Sequence, residues 1–193
     1  MKKNVILLFP VLVAILILPV LAACQQPSVP PPSISTQGNA RVYTNFKYGF
    51  SFTICDNKEF EVVQNYGGTL VALRGPLLAD LKTQISIYMI AKEVPKNTKL
   101  EDFLAADRKE SEKTLSNFAL LSEGTTTIGN IQARRTSFTY TATLSEQDYT
   151  FKNTLVVFMK DNVIYAMKYE TPDESYDEFV DCFNVLISTF KFL

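Results

Sequence analysis

The chain has 193 residues, of which 47% are hydrophobic and 20% are charged, with a formal net charge of −1. That length fits one ordinary domain whose hydrophobic core is large enough to fold without disulfides or bound metals. The balanced charge argues against a nucleic-acid-binding function, which depends on clustered Lys and Arg. The sequence contains no His, which excludes the Ser-His and Cys-His nucleophile pairs and the commonest zinc ligand.

The amino-terminal stretch has the layout of an export signal. Lys2 and Lys3 precede an apolar run over residues 5–20, and the sequence LAAC then ends at Cys24. A basic start, an apolar middle and small residues before a cleavage point are typical of a secretory signal peptide. The LAAC ending resembles the lipobox of bacterial lipoproteins, in which the cysteine is lipidated and becomes the first mature residue. The alternative is a plain transmembrane anchor.

We therefore expect residues 1–23 to be a lipoprotein signal peptide and Cys24 to carry a lipid. The protein would then be anchored to a membrane of the bacterial cell envelope and would face away from the cytoplasm. Loss of residues 1–23 leaves 17 basic against 20 acidic residues, a formal charge of −3. Residues 24–41 are rich in Pro, Ser and Gln, a composition that predicts a tether with no function of its own. The folded domain is expected over residues 42–193.

Two cysteines remain once Cys24 is assigned to the lipid. Cys55 and Cys182 form an even pair in an exported protein, and such a pair can form a disulfide if the two Cα atoms come within about 7 Å. Two buried free thiols are the alternative, in an organism that exports proteins without oxidising them. The sequence leaves both alternatives open.

The first half of the domain predicts strands and one helix. Alternating apolar and polar residues predict a strand over residues 48–54, and a Gly-rich turn at 65–68 separates two further strands. A longer strand follows over residues 82–94 and ends at Pro95. A polar helix is expected from Asn97 or Thr98 to about residue 117, with an inward stripe (Leu100, Phe103, Leu104, Asp107, Ser111 and Leu115) that is apolar only at its ends, so this helix should lie at the edge of the core.

The second half predicts hairpins and a closing helix. Strands over 119–127 and 131–144 flank a turn at Gly129-Asn130, and strands over 149–160 and 163–170 flank a tight turn at Asp161-Asn162. Thr171 is predicted to be the N-cap of the last helix, with Pro172 in its first position and Glu174 completing a capping box. Its apolar stripe, which should cover the sheet, comprises Tyr176, Phe179, Val180, Phe183, Ile187 and Phe190.

This order of elements predicts an α+β fold with a mainly antiparallel sheet flanked by helices. The opening sequence from Tyr48 to Phe52 (YGFSF) resembles the first strand of the PsbP family, the extrinsic photosystem II subunit with many bacterial relatives. So does the close, an aromatic hairpin from Tyr149 to Tyr169 followed by a helix and the sequence ISTF ending at Phe190. The resemblance covers residues 42–193 and implies an α/β/α sandwich with a non-enzymatic accessory or binding function.

The sequence departs from that family at the end of its first strand. Ile54-Cys55-Asp56 stands where relatives tend to carry Pro and then Trp, and the chain has no Trp. It also lacks the His that the plant subunits use. No manganese, calcium or chloride function is therefore expected, and no cofactor is predicted.

Acidic residues of the last helix are the strongest metal candidate. Asp173, Asp177 and Asp181 recur every four residues, a pattern that could bind a divalent cation or a basic partner. No compact oxygen-rich loop accompanies them, and acids early in a helix are favoured by its dipole. We therefore expect a solvated helix face with no metal.

The late strands carry the candidate binding face. A group of aromatic residues is expected to form the core face (Tyr140, Tyr149, Phe151, Phe158, Tyr165 and Tyr169). The opposite face is polar and nearly uncharged, and we treat it as a hypothetical partner or ligand face (Thr139, Thr141, Thr143, Thr150, Lys152 and Thr154).

Three functions follow from these observations. The favoured one is a lipid-anchored, non-enzymatic binding or accessory module for an envelope protein complex. A carrier of a small ligand in a cleft between sheet and helix is the second, and a deep apolar pocket would favour it. The third is an envelope enzyme that uses Asp148 with Glu146 as an acid–base pair, although both residues lie in a turn between exposed strands.

Overall fold

The computed structural model describes residues 28–55, 60–78 and 83–193. Its two helices and eleven strands follow the chain in this order: β1 Ser33–Gln37, β2 Ala40–Asn45, β3 Phe50–Ile54, β4 Glu61–Gln64, β5 Val71–Leu78, β6 Thr83–Glu93, α1 Leu100–Thr114, β7 Ser116–Ile128, β8 Ile131–Leu144, β9 Gln147–Lys160, β10 Val163–Pro172, α2 Tyr176–Thr189 and β11 Lys191–Phe192. Short 3-10 helices lie at Tyr66–Gly68 and Asp173–Ser175.

The strands form two sheets. The small sheet has the order β1-β2-β3-β11, and the large sheet has the order β4-β5-β6-β10-β9-β8-β7. Neighbouring strands pair antiparallel throughout both sheets of the described residues. The predicted α+β class with a mainly antiparallel sheet is confirmed.

The hydrophobic core lies between the large sheet on one side and the small sheet with α2 on the other. Phe50 and Phe52 of the small sheet, Phe158 of the large sheet and Phe183 of α2 are all essentially buried. We call the side of the large sheet that meets this core its inner face and the opposite side, which carries α1, its outer face. Side chains alternate along a strand, so Phe158 is on the inner face and Val157 on the outer one.

Two predicted turns connect the long strands. Gly129 and Asn130 have φ values of 50° and 70°, and Asp161 and Asn162 have φ values of 52° and 60°. Both residues of each turn are therefore left-handed, the geometry that matches the twist of the flanking strands. The chain places Gly, Asn and Asp at these positions because they adopt this conformation at low cost.

Cys55 and Cys182 are joined in a disulfide. Cys55 directly follows β3 and Cys182 is on α2, with their Cα atoms 5.1 Å apart, inside the usual range for a disulfide. The side chains are 6% and 3% exposed. The bond therefore links the small sheet to the helix that covers the core.

The predicted start of the last helix is wrong. Thr171 and Pro172 belong to β10, where they pair with Lys152 and Phe151 of β9. The 3-10 helix Asp173–Ser175 follows, and α2 begins only at Tyr176, without a side-chain capping hydrogen bond. Pairing with β9 holds Thr171 and Pro172 extended, so the tertiary contact overrides the local capping pattern.

The predicted tether over residues 24–41 is too long. β1 lies inside it and pairs with β2, and most β1 side chains are exposed. An edge strand of this kind is held by backbone hydrogen bonds, so its composition gives no apolar signal. The signal peptide over 1–23, Cys24 and the first residue of the predicted strand at Lys82 lie outside the described residues.

Candidate functional site

Helix α1 is attached loosely to the outer face of the large sheet. None of its side chains is fully buried, in agreement with its predicted place at the edge of the core. Glu101 and Asp102 occupy its first turn and Lys113 its last, an arrangement that the helix dipole favours. Because α1 does not pack closely against the sheet, a space remains between the helix and the sheet.

That space is a groove of about 420 Å³, which we call the α1 groove. Its floor comes from β7, β8 and β9, and its wall from α1. The Phe118 and Phe138 rings lie 5.1 Å apart at its base. The apolar part of the lining consists of Leu104, Ala105, Phe118, Leu120, Phe138 and Leu155.

Charged residues at the rim connect the helix to the sheet. Arg108 Nη1 of α1 lies 3.0 Å from Glu123 Oε1 of β7, and Glu101 Oε1 of α1 lies 3.7 Å from Arg134 Nη2 of β8. Arg108 Nε also donates to Glu112 Oε1 at 3.0 Å. These pairs are substantially exposed, so each contributes little stability. They locate α1 over the sheet while leaving the groove open.

A polar cluster continues along the outer face beside α1. Lys168 and Glu170 of β10 form an ion pair. Burial raises the pKa of Tyr140 above its usual range, and the charge of Glu170 and its hydrogen bond to Tyr140 add to the effect. Partial desolvation likewise raises the pKa of Asp107, whose side chain still reaches solvent, while Lys168 opposes that shift. Ionisable side chains therefore lie beside α1 on the outer face.

Asn153 is an unsatisfied buried residue at the edge of this cluster. It is fully buried, and neither its side-chain nitrogen nor its oxygen has a hydrogen-bond partner among the described residues. It lies opposite Phe138 on β8 and Glu170 on β10, and two residues before Leu155. Two of these neighbours, Phe138 and Leu155, line the α1 groove, so an unpaired amide adjoins the floor of the groove.

The predicted Thr-rich face lies on the inner side of the large sheet, partly beneath the start of α2. Thr154 Oγ1 is 2.8 Å from Ser137 Oγ and 2.5 Å from Tyr176 Oη, and Lys152 Nζ is 4.0 Å from the centre of the Tyr176 ring. Thr154 is fully buried, so its prediction as a contact residue is wrong. On the same face, Lys152, Thr139 and Thr141 are half-buried, and Thr143 and Thr150 are exposed. For these residues the hypothesis stays a prediction.

The predicted aromatic core face is also wrong as a single face. Tyr140 pairs with Phe151 on the outer face, where their rings stack 5.6 Å apart. Phe158 pairs with Tyr165 on the inner face, with rings 5.1 Å apart. Residues 151 and 158 differ by an odd number along one continuous strand, so their side chains must point to opposite faces.

The acidic candidates are exposed to solvent. Asp148 lies exposed near the β8–β9 turn, where it accepts a hydrogen bond from Thr143 Oγ1 at 2.6 Å. Asp173, Asp177 and Asp181 are exposed. The described residues contain no group of three or more acidic or Cys side chains placed to hold a metal ion.

Sequence reasoning found the helix side of the groove but missed its floor. The predicted inward stripe of α1 includes three lining residues, Leu104, Asp107 and Ser111. The floor residues Phe118 and Phe138 were not singled out. The period-two pattern through Arg134, Thr136 and Phe138 in β8 carried a signal for them, because it separates these side chains from the Thr-rich face.

Comparisons with known proteins identify the fold. No family model and no curated protein sequence matches the chain. The solution structure of cyanobacterial PsbP (CyanoP) from Synechocystis sp. PCC 6803 is similar, with a TM-score of 0.58 and 14% identity over 82% of this chain and 98% of that one.

A second similar structure is that of LpqN from Mycobacterium tuberculosis, a protein described as involved in cell envelope biogenesis. Its TM-score is 0.58 and its identity 13%, over 83% of this chain and 89% of LpqN. Among residues 28–55, 60–78 and 83–193, neither helix has the length and apolar character needed to cross a bilayer. At these identities the likeness establishes architecture alone, and the chain has a PsbP-like α+β fold.

Proposed function

We propose that this protein is a lipid-anchored, non-enzymatic binding module of the bacterial cell envelope, and that the α1 groove receives a segment of a partner protein. The observation that carries the proposal is the groove itself, about 420 Å³ with an apolar floor and a charged rim. An apolar floor supplies affinity when a partner covers it, and a polar rim fixes the partner's orientation.

The chemistry of the chain favours binding over catalysis. The sequence has no His, and the two arginines at the rim of the groove already face carboxylates across it. Such pairs can exchange partners with a charged segment but cannot act as a proton-transfer pair, because Arg does not release its proton near neutral pH. In the acid–base alternative, Asp148 lines an open depression beside Asp173 and Glu174, and both Asp148 and Glu146 are exposed to solvent.

The envelope location rests on the lipobox-like sequence ending at Cys24 and is supported by the resemblance to LpqN, a protein of envelope biogenesis. Cys24→Ser tests it. Because the lipid supplies membrane affinity and the fold does not need it, we expect the variant to fold normally and to leave the membrane fraction. Retention in that fraction at wild-type levels would contradict lipid anchoring.

A matched pair of substitutions tests the groove. Ala105 lines the α1 groove, whereas the adjacent Ala106 on the same helix does not, and both are exposed. Ala105→Trp should fill the groove, and Ala106→Trp should place the same ring in solvent. The lipidated protein carrying each substitution would be crosslinked mildly in its own membranes and purified.

We expect one reproducible envelope protein to be captured by the wild type and by Ala106→Trp but to be lost with Ala105→Trp. Loss with both variants, or capture by both, would contradict the assignment of the groove. Parallel substitution of Thr141 and Lys152 would show whether the exposed part of the Thr-rich face contributes instead.

A small-ligand carrier is the second candidate, because the volume of the groove falls within the range of small-molecule sites. Native mass spectrometry of the purified protein tests it. A bound small molecule that is present in Ala106→Trp and absent in Ala105→Trp would favour the carrier over the accessory module. Absence of both a partner and a ligand would refute binding in the groove.

A further inference from the structure

The end of the domain where the tether enters has a distinctive composition. The chain enters at Ser33, which pairs with Thr44 of β2, and Thr44 pairs in turn with Ser51 of β3. Ser33 therefore lies at the same end as the β2–β3 turn. The last residues join this end as well, because the Leu193 amide donates to the Gly49 carbonyl at 2.9 Å.

Aromatic and apolar side chains at this end are open to solvent. Phe46 in the β2–β3 turn is 41% exposed and Leu193 is 66% exposed. Lysines lie over neighbouring rings, with Lys47 Nζ 5.1 Å from the centre of Tyr48 and Lys160 Nζ 4.8 Å from that of Phe192. A lysine has an apolar stem and a charged tip, and aromatic rings tolerate contact with both water and lipid. Both kinds of side chain suit the interface between water and lipid.

We call this end the basal surface and define it by Phe46, Lys47, Lys160, Lys191, Phe192 and Leu193. Lys96 lies close by, two residues after Val94, whose amide donates to the Asn162 carbonyl of the β9–β10 turn. The acidic side chains nearest to these lysines along the chain are those of Asp161, which forms an ion pair with Lys160, and of Glu93. These four lysines outnumber the two acidic side chains, although the chain as a whole is acidic.

The opposite end of the domain has the reverse charge. Glu146 and Asp148 lie at the far end of β9, and Asp173 and Glu174 adjoin that end in the 3-10 helix. The 14 residues of β9 separate the two ends by about 48 Å at the usual rise of a strand. The two ends of β9 thus carry side chains of opposite charge, with the lysines at the end where the tether enters.

We infer that the basal surface docks onto an anionic lipid bilayer and so sets the orientation of the domain. The inference rests on the proposed lipid anchoring of Cys24. The nine residues 24–32 reach at most about 30 Å when extended, so they hold the basal surface near the membrane without fixing its orientation. Lysines near an anionic leaflet are attracted to it, whereas the acidic end is repelled. Docking would turn the acidic end and the β8–β9 turn away from the membrane.

Single tryptophan reporters can test this orientation because the chain contains no Trp. Phe46→Trp reports on the basal surface, and Tyr149→Trp reports on the far end. Full-length lipidated protein carrying either substitution would be incorporated into vesicles of phosphatidylcholine and phosphatidylglycerol in equal amounts, with brominated acyl chains as the quencher. Vesicles of phosphatidylcholine alone serve as the neutral control.

We expect strong quenching of Phe46→Trp in the anionic vesicles, weak quenching in the neutral ones, and none of Tyr149→Trp in either. Each lysine at an anionic surface changes association by about fivefold. Lys47→Gln combined with Lys191→Gln should therefore lower the ratio of docked to undocked protein by about 25-fold. The matched control, Lys109→Gln with Lys113→Gln on α1, removes the same charge from exposed positions away from the basal surface and should leave the ratio unchanged.

Flotation of the vesicles separates the two proposals. Protein that floats with the vesicles but shows equal quenching of both reporters would overturn the orientation and leave the anchoring intact. An equal effect of the two lysine pairs would overturn the assignment to the basal surface. Protein that fails to float would overturn the anchoring, and the orientation that depends on it.

Discussion

The disulfide between Cys55 and Cys182 gives the sharpest prediction for stability. The two residues are separated by 127 positions, so the bond closes most of the domain into one loop. In the chain-entropy model, a loop of this length lowers the entropy of the unfolded chain enough to stabilise the folded state by about 5 kcal/mol. The native contacts of both buried side chains with their neighbours would be largely kept after reduction.

Urea unfolding of the oxidised and the reduced protein measures this contribution. Far-UV circular dichroism is the suitable probe because the chain lacks Trp. With a denaturant slope of about 2 kcal/mol per molar urea, the midpoint should fall by about 2.5 M on reduction. The paired substitution Cys55→Ala and Cys182→Ala should reproduce the reduced midpoint and make it insensitive to reductant.

Two results would refute this reasoning. Oxidised and reduced protein with midpoints within about 0.5 M of each other would mean that the bond restricts the unfolded chain much less than its loop length requires. The second result concerns protein purified from the envelope and unfolded without a reductant. If both cysteines of this protein react with a thiol reagent, the bond does not form in the cell.

Three further substitutions test individual groups by the same unfolding assay. Asn153→Leu replaces a buried, unpaired amide with an apolar side chain of similar size and should raise the free energy of unfolding by about 1 kcal/mol; a decrease would reveal a partner for the amide. Tyr169→Phe removes a buried hydroxyl that donates to the Tyr176 carbonyl at 2.8 Å and should cost about 1 kcal/mol; an unchanged midpoint would contradict this value. The raised pKa of Asp107 means that the folded state binds its proton more tightly than the unfolded state, so ionisation opposes folding as the pH rises. Asp107→Asn should therefore stabilise the protein at about pH 7 and have no effect below about pH 3, and an equal effect at both pH values would contradict the shift.

The sequence was sufficient where local pattern and tertiary structure agree. The strands on either side of Asp161-Asn162 are predicted to the residue at the turn and to within two residues at their far ends, because a two-residue turn with positive φ fixes the register of its hairpin. The sequence was insufficient to predict the structure at Thr171. Its capping pattern is valid locally but is overridden by pairing with Lys152 on another strand. The local pattern contains no information about that partner.

The candidate site shows the same division. The weakly apolar stripe of α1 correctly predicted a helix at the edge of the core, and a cleft between sheet and helix was among the alternatives. Which strands form the floor depends on the pairing of β8 with β7 and β9, and this pairing places Phe118 beside Phe138. Such neighbours are distant in sequence and share no periodicity, so only the assembled sheet identifies the α1 groove.

Strand β1 has a mechanical consequence for the protein. A pull on the amino-terminal segment enters the domain at Ser33, and β1 contributes no buried side chain to the core. β1 can therefore peel from β2 while the core and the link between Cys55 and Cys182 stay intact. The seven residues 33–39 would then lengthen the free segment by about 23 Å and move its attachment to Ala40, at the other end of β2. Under load, β1 would thus become part of the tether before the core is disturbed, and the pull would reach the domain at Ala40 instead of Ser33.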